Sequence, residues 1–276
     1  MKRNIFFMLL ACTLLYACKK DTKLLYNSPD NIYLDYPTTD TITYSFAYSV
    51  GLAQDTVWIP VKISGKRISQ DRNFEMNIIA NATTATQGLH YEALKSSYKM
   101  PADSGVVHVP VILKNTDAAL ESKSVYLTLR VTGGSDFQIQ LADSLRTKTL
   151  LFSNRLEKPD WWNIKWADQI GDYSRVKHQL FLITSGTRDL INLFYGDPNF
   201  QIPRNLYYIE NTRTFLKDPF TWVTNHPDKG YMLTKITGSE DYNFYNVASP
   251  DKKFLFKYFS NNQYFFIDEN GGQIKF

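Results

Sequence analysis

The sequence predicts a mainly β protein, an antiparallel β-sandwich followed by a smaller mixed α+β domain. Three observations carry this. Large apolar residues alternate with small or polar ones over residues 41–50 and again over 57–63. A period of two lays one set of side chains on one face of a sheet. Further short apolar runs follow at residues 74–80, 106–113, 124–131 and 147–152, with glycines near their ends, the spacing of a sandwich. Beyond residue 160 the period changes, and helical spacing appears beside new strand-like runs.

The elements follow in order. Lys2 and Arg3 precede an apolar run from Ile5 to Tyr16, closed by Ala17 and Cys18. A charged head, an apolar middle and a small-residue edge make a secretory signal. The run is shorter than the roughly 20 residues that span a bilayer. The cysteine at its edge makes it resemble a bacterial lipoprotein signal, which implies lipid attachment at Cys18 and cleavage just before it. Cys12 follows a similar pattern, but cleavage there leaves too short an apolar core. Both cysteines of the chain lie in this segment, so the folded body has no disulfide and no cysteine-based metal site. The expected organisation is a signal peptide at 1–17, a tether at 18–29, the sandwich at 30–153 and the α+β domain at 154–276.

A strand series begins at residue 31. In residues 41–50, Ile42, Tyr44, Phe46, Tyr48 and Val50 share one face. Val57, Ile59, Val61 and Ile63 repeat the pattern, with Trp58 and Lys62 opposite. Pro60 cannot donate to a ladder, so that strand is expected at an edge or with a bulge. After a polar boundary at 153–160, Ser174 is suited to cap a helix that places Val176, Leu180 and Ile183 on one face and ends at Gly186. Pro203 is suited to open a second helix that ends before Pro219. From Tyr231 the chain is strand-like again, with runs at 254–259 and 263–267, a turn at Asn270-Gly271-Gly272 and a last strand to Phe276.

Formal net charge is +4, and without Lys2 and Arg3 the balance is 29 basic against 27 acidic residues. No long basic run exists, which excludes a nucleic-acid partner. Aromatic content is high, with 18 Tyr, 18 Phe and 5 Trp. Such rings fill cores and also make interfaces and ligand platforms.

Two resemblances add to this. Gly88-Leu89-His90-Tyr91, then Tyr98-Lys99-Met100-Pro101-Ala102, Val107-His108-Val109-Pro110-Val111 and Val125-Tyr126-Leu127-Thr128-Leu129 resemble the second half of a Calx-beta or related immunoglobulin-like module. The resemblance implies an immunoglobulin-like sandwich. The acidic calcium clusters of Calx-beta domains are not evident, since Asp117 and Glu121 alone do not replace them. Pro159-Asp160-Trp161, Gly171-Asp172-Tyr173-Ser174 with Lys177, and Asp268-Glu269-Asn270-Gly271 join the lipobox and Ile32-Tyr33-Leu34. Together they resemble a Bacteroidota lipoprotein family of unknown function, often encoded beside glycan-utilisation transporters. That resemblance implies an outer-membrane, lipid-anchored location and a glycan or an outer-membrane transporter complex as partner.

Most chemical motifs have plain explanations. Ser174-Arg175-Val176-Lys177 matches Ser-x-x-Lys, but the companion motifs are missing, and a capping serine with a surface lysine explains it. His226-Pro227-Asp228 is a turn sequence. Asp268, Asn270 and Gly271 suit a hairpin better than a calcium loop, because the glycine comes too early. The histidines His90, His108, His178 and His226 are scattered, without zinc spacing. Facing carboxylates cannot be read from sequence. Trp161, Trp162 and Trp166 form a compact cluster that is either a sugar platform or a packed staple where the two domains meet. The expectation is a non-catalytic surface lipoprotein without cofactor or metal, accessory to glycan capture. The alternatives are an assembly partner of a transporter or a glycan-active hydrolase.

Overall fold

The computed structural model describes residues 28–36, 41–164, 166–190 and 198–276. The signal, Cys18 and nearly all of the tether lie outside these residues.

The first unit is a two-sheet sandwich. One sheet has the order β1-β3-β6, from β1 (Asn31–Leu34), β3 (Gln54–Ser64) and β6 (Val106–Lys114). The other has the order β2-β8-β7-β4-β5. It is built from β2 (Thr41–Ser45), β4 (Arg72–Ile78), β5 (Tyr98–Met100), β7 (Val125–Thr132) and β8 (Thr147–Ser153). Period-two side chains from both sheets meet in one core. Ile59, Val61, Val109 and Val111 face Phe74, Leu127, Leu129 and Leu150, all essentially sealed from water.

The expected antiparallel pattern holds except at β2, which runs parallel to β8 in the register Thr41↔Thr149 to Ser45↔Ser153. The strand also ends earlier than the alternation suggests. After Ser45 the chain turns, so the five alternating large residues do not share a face. Phe46 enters the sandwich core, Tyr48 is exposed, and Val50 packs into a second core beyond the sandwich.

Pro60 lies in the central strand of its sheet rather than at an edge. Its carbonyl accepts from Asp35 N at 2.9 Å, one residue past the end of β1. A residue's N–H and C=O point to the same side of an antiparallel strand. The missing N–H therefore faces the end of β1 and not β6, so the proline leaves the long β3–β6 ladder intact.

After a one-turn helix, α1 (Asp143–Arg146), and strand β8, two short helices follow, α2 (Asp160–Ile164) and α3 (Ala167–Ile170). Helix α4 (Arg175–Thr184) begins where the sequence predicts, because Ser174 Oγ accepts Lys177 N–H at 3.1 Å. It stops at Gly186, which takes a left-handed φ of 86°. Helix α5 (Pro198–Lys217) starts before Pro203, which lies inside it and cannot donate to the helix. Helix α6 (Pro219–Asn225) follows, capped by Asp218. A meander of β9 (Tyr231–Lys235), β10 (Tyr242–Asn246), β11 (Lys253–Phe259) and β12 (Gln263–Phe266) closes the chain in the order β12-β11-β10-β9. The tail expected as a strand makes only an isolated bridge, Ile267 to Gln273, and one bond from Ile274 N to Phe266 O.

Helix α4 is buried on two sides. Val176, Leu180 and Ile183 join Phe215, Phe244, Phe256 and Phe266 against the meander. Phe181 turns to a third cluster with Trp161, Trp162, Trp166, Ile170 and Ile209.

Candidate functional site

The tryptophan cluster is packed rather than displayed. Trp161, Trp162 and Trp166 are 9%, 0% and 3% exposed. Trp161 stacks on Trp162 with ring centres 5.4 Å apart, and Trp162 meets Tyr173 edge-on at 5.0 Å. Trp162 Nε1 donates to Gly171 O at 3.0 Å, and Trp161 Nε1 to Asp189 at 3.2 Å. The rings offer no open face to a sugar. Nor do they staple the two units together, since every residue of their cluster comes from the chain beyond residue 160. They are the core on which α4 is laid. Trp58, on the outer face of β3, is the exposed indole of the chain at 57%.

The other motifs also resolve into structure. Lys177 Nζ donates to the carbonyls of Ile170 (2.9 Å) and Asp172 (2.7 Å), so it is committed to closing the chain before α4. Burial lowers its pKa. His226 stacks on Trp222 at 4.6 Å, with its Nδ1 2.8 Å from Trp222 O, at the start of a 3-10 turn. Asp268 Oδ1 accepts from Asn270 N and Gly272 N at 2.9 and 2.7 Å, which makes it the clamp of a tight turn. Among the described residues no three His, Cys, Asp or Glu side chains gather as a metal site, and no helix is long and apolar enough to cross a membrane.

A cleft of about 490 Å³ opens where the sandwich meets the second unit. Its sandwich wall comes from the loop 50–53, from Asn115 to Glu121 and from Asn154. Its other wall comes from the first turn of α4, from Tyr231 and Asn246, and from residues 249–254. The two walls are held together closely. Ser249 Oγ donates to Gly51 O at 2.6 Å. A side chain at Gly51 would stand 2.8 Å from the Tyr231 hydroxyl, and its φ of 123° already suits glycine alone. Arg175 bridges the walls by an ion pair to Glu121 and a bond to Asn154 O at 3.3 Å.

Charge in the cleft is partly spent. Glu269 accepts the amides of Arg175 and Val176 at 2.5 and 3.1 Å, satisfying free donors at the start of α4. The Ala119 amide, and then His90 at 2.9 Å, hold the Asp117 carboxyl below the usual carboxylate range. Burial pushes the Tyr231 phenol up to about 12. Burial also pulls the Lys252 ammonium down to about 8, with Glu121 opposing the shift and Arg175 adding to it. Asn115 is 3% exposed, and its Oδ1 accepts no hydrogen bond among the described residues.

None of this was readable from the chain order. The cleft joins seven separate stretches of the sequence, and its residues carry no shared spacing. Asp117 and Glu121, weighed as calcium ligands on sequence, both line it.

The comparisons with known proteins concern the sandwich and its extension. Residues 26–187 match the family described as a domain of unknown function, DUF4843. No curated protein matches the sequence. Among solved structures, the Calx CBD1 domain in its apo form is 15% identical with a TM-score of 0.35, over 46% of this chain and 97% of that one. A candidate carbohydrate-binding protein from Bacteroides ovatus is 11% identical with a TM-score of 0.35, over 46% of this chain and 38% of that one. A two-domain protein of unknown function from Bacteroides fragilis is 12% identical with a TM-score of 0.34, over 45% of each chain. The chain thus spans less than half the length of these two Bacteroides proteins. The family match covers more than half of the 276 residues, and it runs past the last sandwich strand through the tryptophan core to the end of α4. The chain belongs to the DUF4843 family.

Proposed function

We propose that the protein is a non-catalytic, lipid-anchored binding protein of the outer membrane that takes a saccharide in the cleft between its two units. The observation that carries this reading is the make-up of the cleft. Planar polar side chains (Gln179, Asn246, Asp251) stand beside apolar surface from Val176 and Phe254. Such walls suit a ligand that has both hydroxyls and C–H faces. Three carboxylates of the cleft already have partners: Glu121 with Arg175, Asp117 with Ala119 N and His90, and Glu269 with the α4 amides. A glycoside hydrolase instead needs two carboxyls facing a bond across about 5–10 Å, one of them free to give a proton. Binding without turnover fits the committed acids better.

The test is calorimetric titration of the mature protein with a broad panel of oligosaccharides. Gln179→Ala changes the wall at a half-buried position. It is expected to weaken binding at least fivefold with an unchanged melting temperature. Titrations that stay flat across the panel overturn the reading, and so does release of reducing ends from any member of it.

A further inference from the structure

We infer that the saccharide taken in this cleft is acidic, and that Lys252 holds its carboxylate. The inference rests on the cleft being the binding site. Its own support is a charge left over in the wall. Lys252 lies half-buried on the loop before β11 and lines the cleft. Among the described residues no carboxylate stands within ion-pair distance of its Nζ.

The nearby charges explain why. Glu121 is the carboxylate that attracts Lys252, yet it is already paired with Arg175, which repels Lys252. Two cations therefore share one anion. Glu269 is the next acid on the wall, and both of its oxygens are taken by backbone amides. Asp251 is exposed. Lys253 is exposed as well, so water serves it. Lys252 alone among the cleft's cations has lost much of its water without gaining a partner. Burial of a charge is unfavourable unless a counter-charge is supplied, and its lowered pKa reflects the same cost. A ligand carboxylate placed at Lys252 turns the cation–anion–cation row into a balanced set of two and two. A neutral sugar leaves the row as it is.

The experiment pairs each acidic probe with its own neutral form. Oligogalacturonate, an alginate oligomer and a hyaluronan tetrasaccharide are titrated into the mature protein at pH 7, each beside its methyl ester. The expected result is that at least one acid binds tenfold or more tightly than its ester. Lys252→Met should abolish that preference without lowering the melting temperature. Lys252→Arg, which keeps the charge, should retain most of it. If acid and ester bind alike, or if only neutral members of the wider panel bind, the Lys252 assignment falls and the cleft remains a sugar site. If a preference for acid survives in Lys252→Met, another group reads the carboxylate and the assignment is wrong. If nothing binds, acidic or neutral, the cleft reading falls and takes this one with it.

Discussion

Acidification from pH 7.5 to 4 is expected to destabilise the protein through His178. Its ring is 1% exposed on α4, edge-on to Trp161, Trp162 and Tyr173 at 6.0, 5.4 and 5.7 Å. Its Nε2 has no hydrogen-bond partner among the described residues, and its Nδ1 lies 3.5 Å from the Tyr173 hydroxyl. Burial lowers its pKa from 6.5 to about 4, with the Asp189 charge opposing. An imidazolium there could gain cation–π attraction from the rings, about 0.5–2 kcal/mol. The cost of stripping its water is several kcal/mol, so the neutral form wins. The folded pKa is depressed, so the unfolded chain takes up the proton first. The stability is whole above about pH 6.5 and is lost as pH falls toward 4. At about 1.36 kcal/mol per unit the loss is about 3 kcal/mol.

The assay is urea unfolding followed by tryptophan fluorescence from pH 7.5 to 4, on wild type and His178→Met. Methionine is unbranched and suits both the helix and an irregular apolar gap. The difference between the two proteins isolates His178 from His90 and from the carboxylates. Asp71, Asp117, Asp136 and Asp218 have lowered pKa values. Their contribution is lost only as pH falls below the ordinary carboxylate value, outside the histidine window. Wild type should lose about 3 kcal/mol more than the variant. Equal losses, or an NMR titration placing folded His178 near 6.5, would refute the reasoning.

Other predictions follow from the same structure. Phe46→Asp buries an unpaired charge in the sandwich core, where Phe46 is fully sealed, and should cost enough to unfold the unit. Thr43→Asp, at an exposed position of β2, should change stability by less than about 0.5 kcal/mol, and circular dichroism melts compare the two. Trp162→Ala removes a sealed ring and leaves Gly171 O without its donor, at a cost of roughly 3–5 kcal/mol by chemical denaturation. Cys18→Ser should shift the protein from the membrane to the soluble fraction or leave an uncleaved precursor. Membrane fractionation equal to wild type would rule out lipidation there.

What the sequence showed of this fold is what local chemistry decides. Strands β3, β6, β7 and β8 fall within a residue or a few of the alternating runs, because one face of each meets a single core. Helix α4 starts and stops where a serine hydroxyl and a glycine make those ends. The failures come from contacts that local pattern does not encode. Pro203 has the properties of a first helical residue, yet α5 begins before it. The tryptophan triplet has the composition of a platform and the burial of a core, and composition does not separate the two. His178 gave no signal at all, since an isolated histidine in an amphipathic run reads as a surface residue until the second packed face of α4 is known.

The alternation through Val50 misleads for a reason that also explains the cleft. Side chains alternate sides along an extended chain, and a chain turning between two cores sends successive large residues to different cores as well. Phe46 goes into the sandwich, and Val50 goes into the meander core. One loop thereby belongs to both units, its tip at Gly51 approaches Tyr231 and Asn246 too closely for any side chain, and the Gly51 carbonyl accepts from Ser249. That contact sets the spacing of the cleft walls, with Arg175 and Glu121 as the second tie. A site built on a fixed junction keeps its lining groups in place before a ligand arrives, which reduces the ordering cost of binding. Lys252 sits three residues beyond Ser249, after Pro250 and Asp251, on the loop that this junction anchors, so its position follows from the glycine contact and from no motif of its own.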